Sequence, residues 1–208
     1  LKHLTPGKTL PTTAPLSNLG QPKFGEELSY IDEEVSSHVA KPFAVFIPCN
    51  LDLSQTIEYV LILDSDNTVN LLDAAREKST AKARRNLVMI IPQKPASFNL
   101  KDLRQAKAYL NTTIQINYNF SVTTEGLSSI TTVAAYGELA EKLESYDDSD
   151  LVNVIKCLNP VTGLDAAKLN AITVKTDYYT EDDEGISGID PKKVQVVKTG
   201  VTDAYKYF

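Results

Sequence analysis

The chain lacks tryptophan and has one methionine, two cysteines and two histidines in 208 residues. Cys49 and Cys157 have no Cys or His companion nearby, so zinc-ligand spacing is absent, and a disulfide between them is the lesser alternative because two cysteines alone cannot define a framework. Two buried thiols are the expected state, since free cysteine behaves as a small hydrophobe. No Walker pattern and no Gly-x-Gly-x-x-Gly fingerprint occurs, which removes the commonest nucleotide-binding loops. The longest apolar runs, Val60–Leu63 and Leu87–Ile91, are too short to span a bilayer, and no signal peptide is legible. A formal net charge of −6 argues against a general nucleic-acid binder and leaves only local phosphate contact open.

What is present is charge sorted into blocks. Residues 1–25 carry Lys2, Lys8 and Lys23 without an acid, and Glu26, Glu27, Asp32, Glu33 and Glu34 follow without a base. Arg76, Lys78, Lys82, Arg84 and Arg85 form a second basic block, and Glu144 to Asp190 holds eleven acids against three bases. Patches of opposite sign steer and register partners, including copies of the same chain. The acidic, turn-rich stretch Glu181–Asp190 does not follow the ligand order of an EF-hand and reads as a solvated loop.

Residues 1–25 read as an extended, Pro-rich arm, because Pro6, Pro11, Pro15 and Pro22 break any helix or central strand. Leu4, Leu10, Leu16 and Leu19 give the arm something to bury. Residues 26–208 are expected to form a single domain, with 124–129 the alternative split. Apolar runs suggest strands at Pro42–Pro48, Tyr59–Asp64, Leu87–Ile91, Ile172–Tyr179, Val194–Val197 and Val201–Tyr207. Thr68–Leu72 follows Tyr59–Asp64 as a hairpin partner. Ile114, Ile116, Tyr118, Phe120 and Val122 alternate with polar residues and predict a strand over Thr113–Thr123.

Helical spacing appears at Leu100–Leu110, with Asn99 as cap and Asp102 in the first turn. It recurs at Tyr136, Leu139, Leu143 and Tyr146, then at Val152, Ile155 and Leu158 behind Asp148 or Ser149. A fourth helix is expected behind Thr162, through Leu164 and Leu169. Strands on either side of a helical middle predict an α+β fold, an antiparallel or mixed sheet with three to four short helices.

One stretch, Val60-Leu-Ile-Leu-Asp64-Ser-Asp66-Asn-Thr68, resembles the first motif of haloacid dehalogenase-like phosphatases. The resemblance implies Asp64 as nucleophile, Asp66 as acid/base and Mg²⁺ as cofactor. It covers about ten residues. The next apolar strand here ends in Pro92-Gln93, where that family has Ser or Thr. His3 lies in the arm and His38 beside Ser36 and Ser37, so neither is placed as a general base.

The arm, the charge blocks and the lack of assembled chemistry predict a non-enzymatic structural protein working in many copies, most concretely a virion component such as a capsid, capsid-decorating or tail protein. Its partners would be copies of itself and other structural proteins, with no cofactor and no metal; a cytoplasmic location is the alternative to the virion. The contacting residues would be the four arm leucines, the five cations of the Arg76–Arg85 block, and Tyr205, Tyr207 and Phe208. The alternatives are the phosphatase and a monomeric binding or adaptor domain.

Overall fold

The structure is a computed structural model, and it describes residues 2–4, 28–31, 36–48, 51–64, 86–117, 128–158, 165–180 and 187–198. Nine strands form one sheet: β1 (Lys2–Leu4), β2 (Leu28–Ile31), β3 (Phe43–Phe46), β4 (Ile57–Leu63), β5 (Leu87–Pro92), β6 (Ser129–Tyr136), β7 (Val154–Leu158), β8 (Lys175–Thr180) and β9 (Val194–Lys198). Their spatial order is β1-β2-β3-β5-β4-β6-β7-β8-β9. From β5 to β9 all neighbours are parallel, and β1, β2 and β3 add an antiparallel edge.

This corrects the α+β expectation. The sheet is mostly parallel and has helices between its strands. The central strands are buried on both faces, so they read as continuous apolar runs, as parallel strands do. All six residues of β5 are buried, and so are six of the seven in β4. Side chains of one face, including Leu61, Ile90, Val133 and Ile155, pack against helical residues. The opposite face carries Val60, Ile62, Met89, Ile91, Ala134, Tyr136, Leu158 and Tyr179.

Helix α1 (Leu100–Asn117) lies between β5 and β6. Its start is the expected cap, made reciprocal: Asn99 N–H donates to Asp102 Oδ2 at 2.9 Å, and Asp102 N–H donates to Asn99 Oδ1 at 3.1 Å. Leu103, Ala106, Leu110 and Ile114 recur at helical spacing and are fully buried. The predicted strand over Thr113–Thr123 therefore fails at its start, where the helix continues to Asn117. Ile114 belongs to the helical stripe as well as to the alternating one. Thr112 and Thr113 turn their hydroxyls back onto Ala108 O and Tyr109 O, so their polar groups are satisfied within the helix. Residues 118–127 lie outside the described set.

The hairpin expectation fails as well: β4 pairs with β5 and β6, both parallel, and Thr68–Leu72 lies outside the described residues. The helix expected through Val152, Ile155 and Leu158 is strand β7, held between β6 and β8. Spacing by three suited a helix, but Ile155 faces one side of the sheet and Leu158 the other. Tyr136–Tyr146 is helical as expected, as a 3₁₀ segment over Gly137–Tyr146 that buries Leu139, Ala140, Leu143 and Tyr146. Helix α2 (Ala166–Ala171) is capped by Asp165, whose carboxylate accepts from Lys168 N–H at 2.8 Å, rather than by Thr162. The strand expected at Pro42–Pro48 is present as β3, between β2 and β5 in the antiparallel part of the sheet. The arm contributes β1, which pairs with β2 of its own chain. Cys157 is a free, buried thiol, and burial raises its pKa.

Asp147 ties the loop before β7 to the entry of β8. It accepts from Thr173 N–H, Thr173 Oγ1 and Val174 N–H at 2.8–3.0 Å. Desolvation opposes the charged form, but these hydrogen bonds together hold the carboxyl below its ordinary range. A depressed folded-state pKa contributes stability above the unfolded-state value, and that stability is lost as pH falls through the folded one. Urea midpoints measured from neutral pH to below the ordinary carboxylate range should therefore fall less steeply in Asp147→Ala than in the wild type. Separately, Leu110→Ala should cost about 2–5 kcal/mol in denaturant unfolding, from lost burial plus the cavity left behind.

Candidate functional site

In a parallel sheet every strand ends at the same edge, so side chains just beyond those ends can converge on one crevice. The parallel strands β4, β5, β6, β7 and β8 are arranged in space as second, first, third, fourth and fifth. That is a doubly wound order, in which ligands bind outside the carboxyl ends where the winding changes direction. Here β4 leads to β5 on one side, while its other neighbour, β6, leads on to β7 away from it. The change of direction falls between β4 and β6.

Two residues mark that point. Leu63 pairs with Ala135, so Asp64, the residue after β4, sits beside the exit of β6. Asp64 is half-buried. On the other side, β6 ends at Tyr136 and the chain enters the 3₁₀ segment at Gly137 with φ 56°. Glycine holds that left-handed conformation without steric cost, whereas a residue with a Cβ does not. Glu138 follows in the first helical turn and is exposed.

No family model matches the chain, and no curated protein matches it. Solved structures resemble its backbone. Est1E from Butyrivibrio proteoclasticus is 11% identical with a TM-score of 0.49, over 87% of this chain and 96% of that one. An alpha-beta serine hydrolase homologue from Coxiella burnetii is 9% identical with a TM-score of 0.47, over 89% and 94%. A thermostable esterase is 12% identical with a TM-score of 0.43, over 76% of this chain and 50% of that one, so the chain spans half of that enzyme. At such identities and scores the likeness is one of backbone and carries no reaction across.

These findings correct the functional expectation. The resembling structures are named as esterases and serine hydrolases, and the strand order of the sheet is a doubly wound one. A non-enzymatic capsid, capsid-decorating or tail protein is not the reading they support. The phosphatase motif is placed only in part. Asp64 lies just beyond the carboxyl end of β4, Asp66 lies outside the described residues, and among the described residues no group of three His, Cys, Asp or Glu could hold a metal ion. Of the expected contact residues, Leu4 lies in β1, while Leu10, Leu16, Leu19, the Arg76–Arg85 block, Tyr205, Tyr207 and Phe208 lie outside the described residues.

A sharp strand-to-helix turn at the top of an α/β sheet is also where serine hydrolases present their nucleophile, at the centre of Gly-x-Ser-x-Gly. The five residues through this turn are Ala135-Tyr136-Gly137-Glu138-Leu139, and the central one has no side chain. In the chain order of that triad the histidine comes last. Within these 208 residues both histidines, His3 and His38, precede the turn, and His38 is exposed in a loop before β3. The turn therefore presents a glycine and backbone groups, next to the strand end that Asp64 follows.

Sequence reasoning reached Asp64 and missed Gly137. The signal was available, since a glycine directly follows the apolar run Val133–Tyr136, but Tyr136 was read as the first residue of a helix. Replacing Gly137 by Ala should cost about 1–2 kcal/mol in denaturant unfolding, the strain of a Cβ at positive φ.

Proposed function

We propose that the chain is an α/β domain of hydrolase type that takes a small uncharged ester in the crevice between the ends of β4 and β6, and cleaves it by direct attack of water. The observation that carries this reading is the register of Leu63 with Ala135, which puts Asp64 and the side-chain-free turn at Gly137 just beyond two adjacent strand ends at one switch point. Gly137 leaves room for a water or for close approach of the ligand, where a serine hydrolase would place its oxygen. Asp64 is the group that takes a proton from that water as its oxygen attacks the carbonyl carbon. The C–O bond then breaks, the proton passes to the leaving alkoxide, and an acid and an alcohol result.

The carbonyl oxygen gains negative charge in this step. The N–H groups that open the segment after Gly137 have no partner within that segment, and they are the donors available to meet it. Asp64 and Glu138 give the described rim a negative character, which favours uncharged substrates over phosphate esters.

Hydrolysis of a short-chain nitrophenyl ester tests this. Turnover should proceed without an initial burst, should resist fluorophosphonate inactivation, and should fall by about 10²-fold or more in kcat/KM in Asp64→Asn. Covalent labelling of a serine by the fluorophosphonate, or full activity in Asp64→Asn, would contradict the proposal.

A further inference from the structure

A second cleft opens at the same edge, beyond the end of β5. It has a volume of about 360 Å³ and is lined by Ala40, Lys41, Pro42, Gln93, Lys94 and Ser97. That size lies within the usual range for small-molecule sites. Its origin is the antiparallel pairing of β3 with β5. Phe43 is opposite Pro92, so the entry to one strand and the exit from the other lie side by side. Gln93 N–H donates to Pro42 O at 3.0 Å and ties the two rims together. Tyr30 OH donates to Gln93 Oε1 at 3.1 Å and holds that side chain from below.

The two cations in the lining differ in their partners. Lys41 Nζ lies 2.9 Å from Asp102 Oδ2, whose side chain is only 5% exposed, and it also donates to Ser97 O. Its ammonium is thereby fixed and largely neutralised. Lys94 is exposed and has no acidic partner among the described residues. Among the described residues, two ammonium groups stand here against one carboxylate. Ala40 and Pro42 provide an apolar wall beside it.

We infer that this cleft binds the carboxylate of a small amphiphilic acid. The head group is paired with Lys94, the Lys41–Asp102 pair forms the back of the site, and the apolar tail lies on Ala40 and Pro42. An apolar wall next to one cation with no acidic partner among the described residues suits a monoanion with a tail better than a compact, doubly charged phosphate. The site is distinct from the crevice between β4 and β6, and it does not require that any ester be cleaved there.

Titrating the full chain with hexanoate, with its uncharged methyl ester and with inorganic phosphate, followed by amide NMR, tests the inference. Hexanoate should shift the amides of Ala40, Lys41, Gln93, Lys94, Ala96 and Ser97, and Lys94→Gln should weaken its binding about 3- to 5-fold, as expected for one exposed charge pair. Thermal unfolding should be unchanged in that variant, because Lys94 is exposed and its lost charge leaves no buried group unpaired. Added salt should weaken binding in the wild type. Equal binding of the methyl ester, binding of phosphate as tight as that of hexanoate, or an unchanged affinity in Lys94→Gln would each overturn the assignment.

Discussion

The parallel seating of β4 between β5 and β6 governs the rest of this molecule. Two parallel neighbours cannot be joined to β4 by tight turns, so the chain must cross over the sheet to reach each of them. The central strands are buried on both faces, which is why β4 and β5 are apolar almost without interruption. The same constraint brings the ends of all parallel strands to one edge. Asp64 and Gly137 are more than 70 positions apart in sequence, yet both follow neighbouring strand ends there because Leu63 and Ala135 share a register.

The antiparallel edge has a different role. With β3 running against β5, the Pro42 and Pro92 ends come together, and this creates a cleft that an all-parallel edge would not have. Around it the polar groups are well partnered. Asp102 serves the cap of α1 and the Lys41 ammonium together, and Tyr146 OH donates to Phe98 O just before that cap. The start of α1 is therefore fixed from three directions, which positions the rim formed by Gln93 to Ser97.

Part of this was legible in the sequence. Leu87–Pro92 reads as a buried strand because proline ends the apolar run, and the cap at Asn99 is readable from Asp102 three residues on. Asp64 is conspicuous as the first acid after an apolar strand. Other segments carried two periods at once. Ile114 fits both the helical stripe with Leu110 and the alternation with Ile116. Val152, Ile155 and Leu158 are spaced for a helix, yet Val154–Leu158 is held by the two strands that flank it. Direction of pairing was not legible at all, because β4 and β6 are brought together by packing over a long separation and not by any local signal. Without it the sheet could not be recognised as doubly wound, and the turn at Gly137 had no meaning as a site.

The account rests on the crevice between β4 and β6 being where a ligand sits. Mapping amide NMR shifts during titration with an uncharged short-chain ester measures this directly. The largest changes are predicted at Leu63, Asp64, Tyr136, Gly137 and Glu138, at the carboxyl ends of the two strands. Shifts confined to the opposite edge, around Ile57 and Ser129, or no shifts at either end, would contradict it.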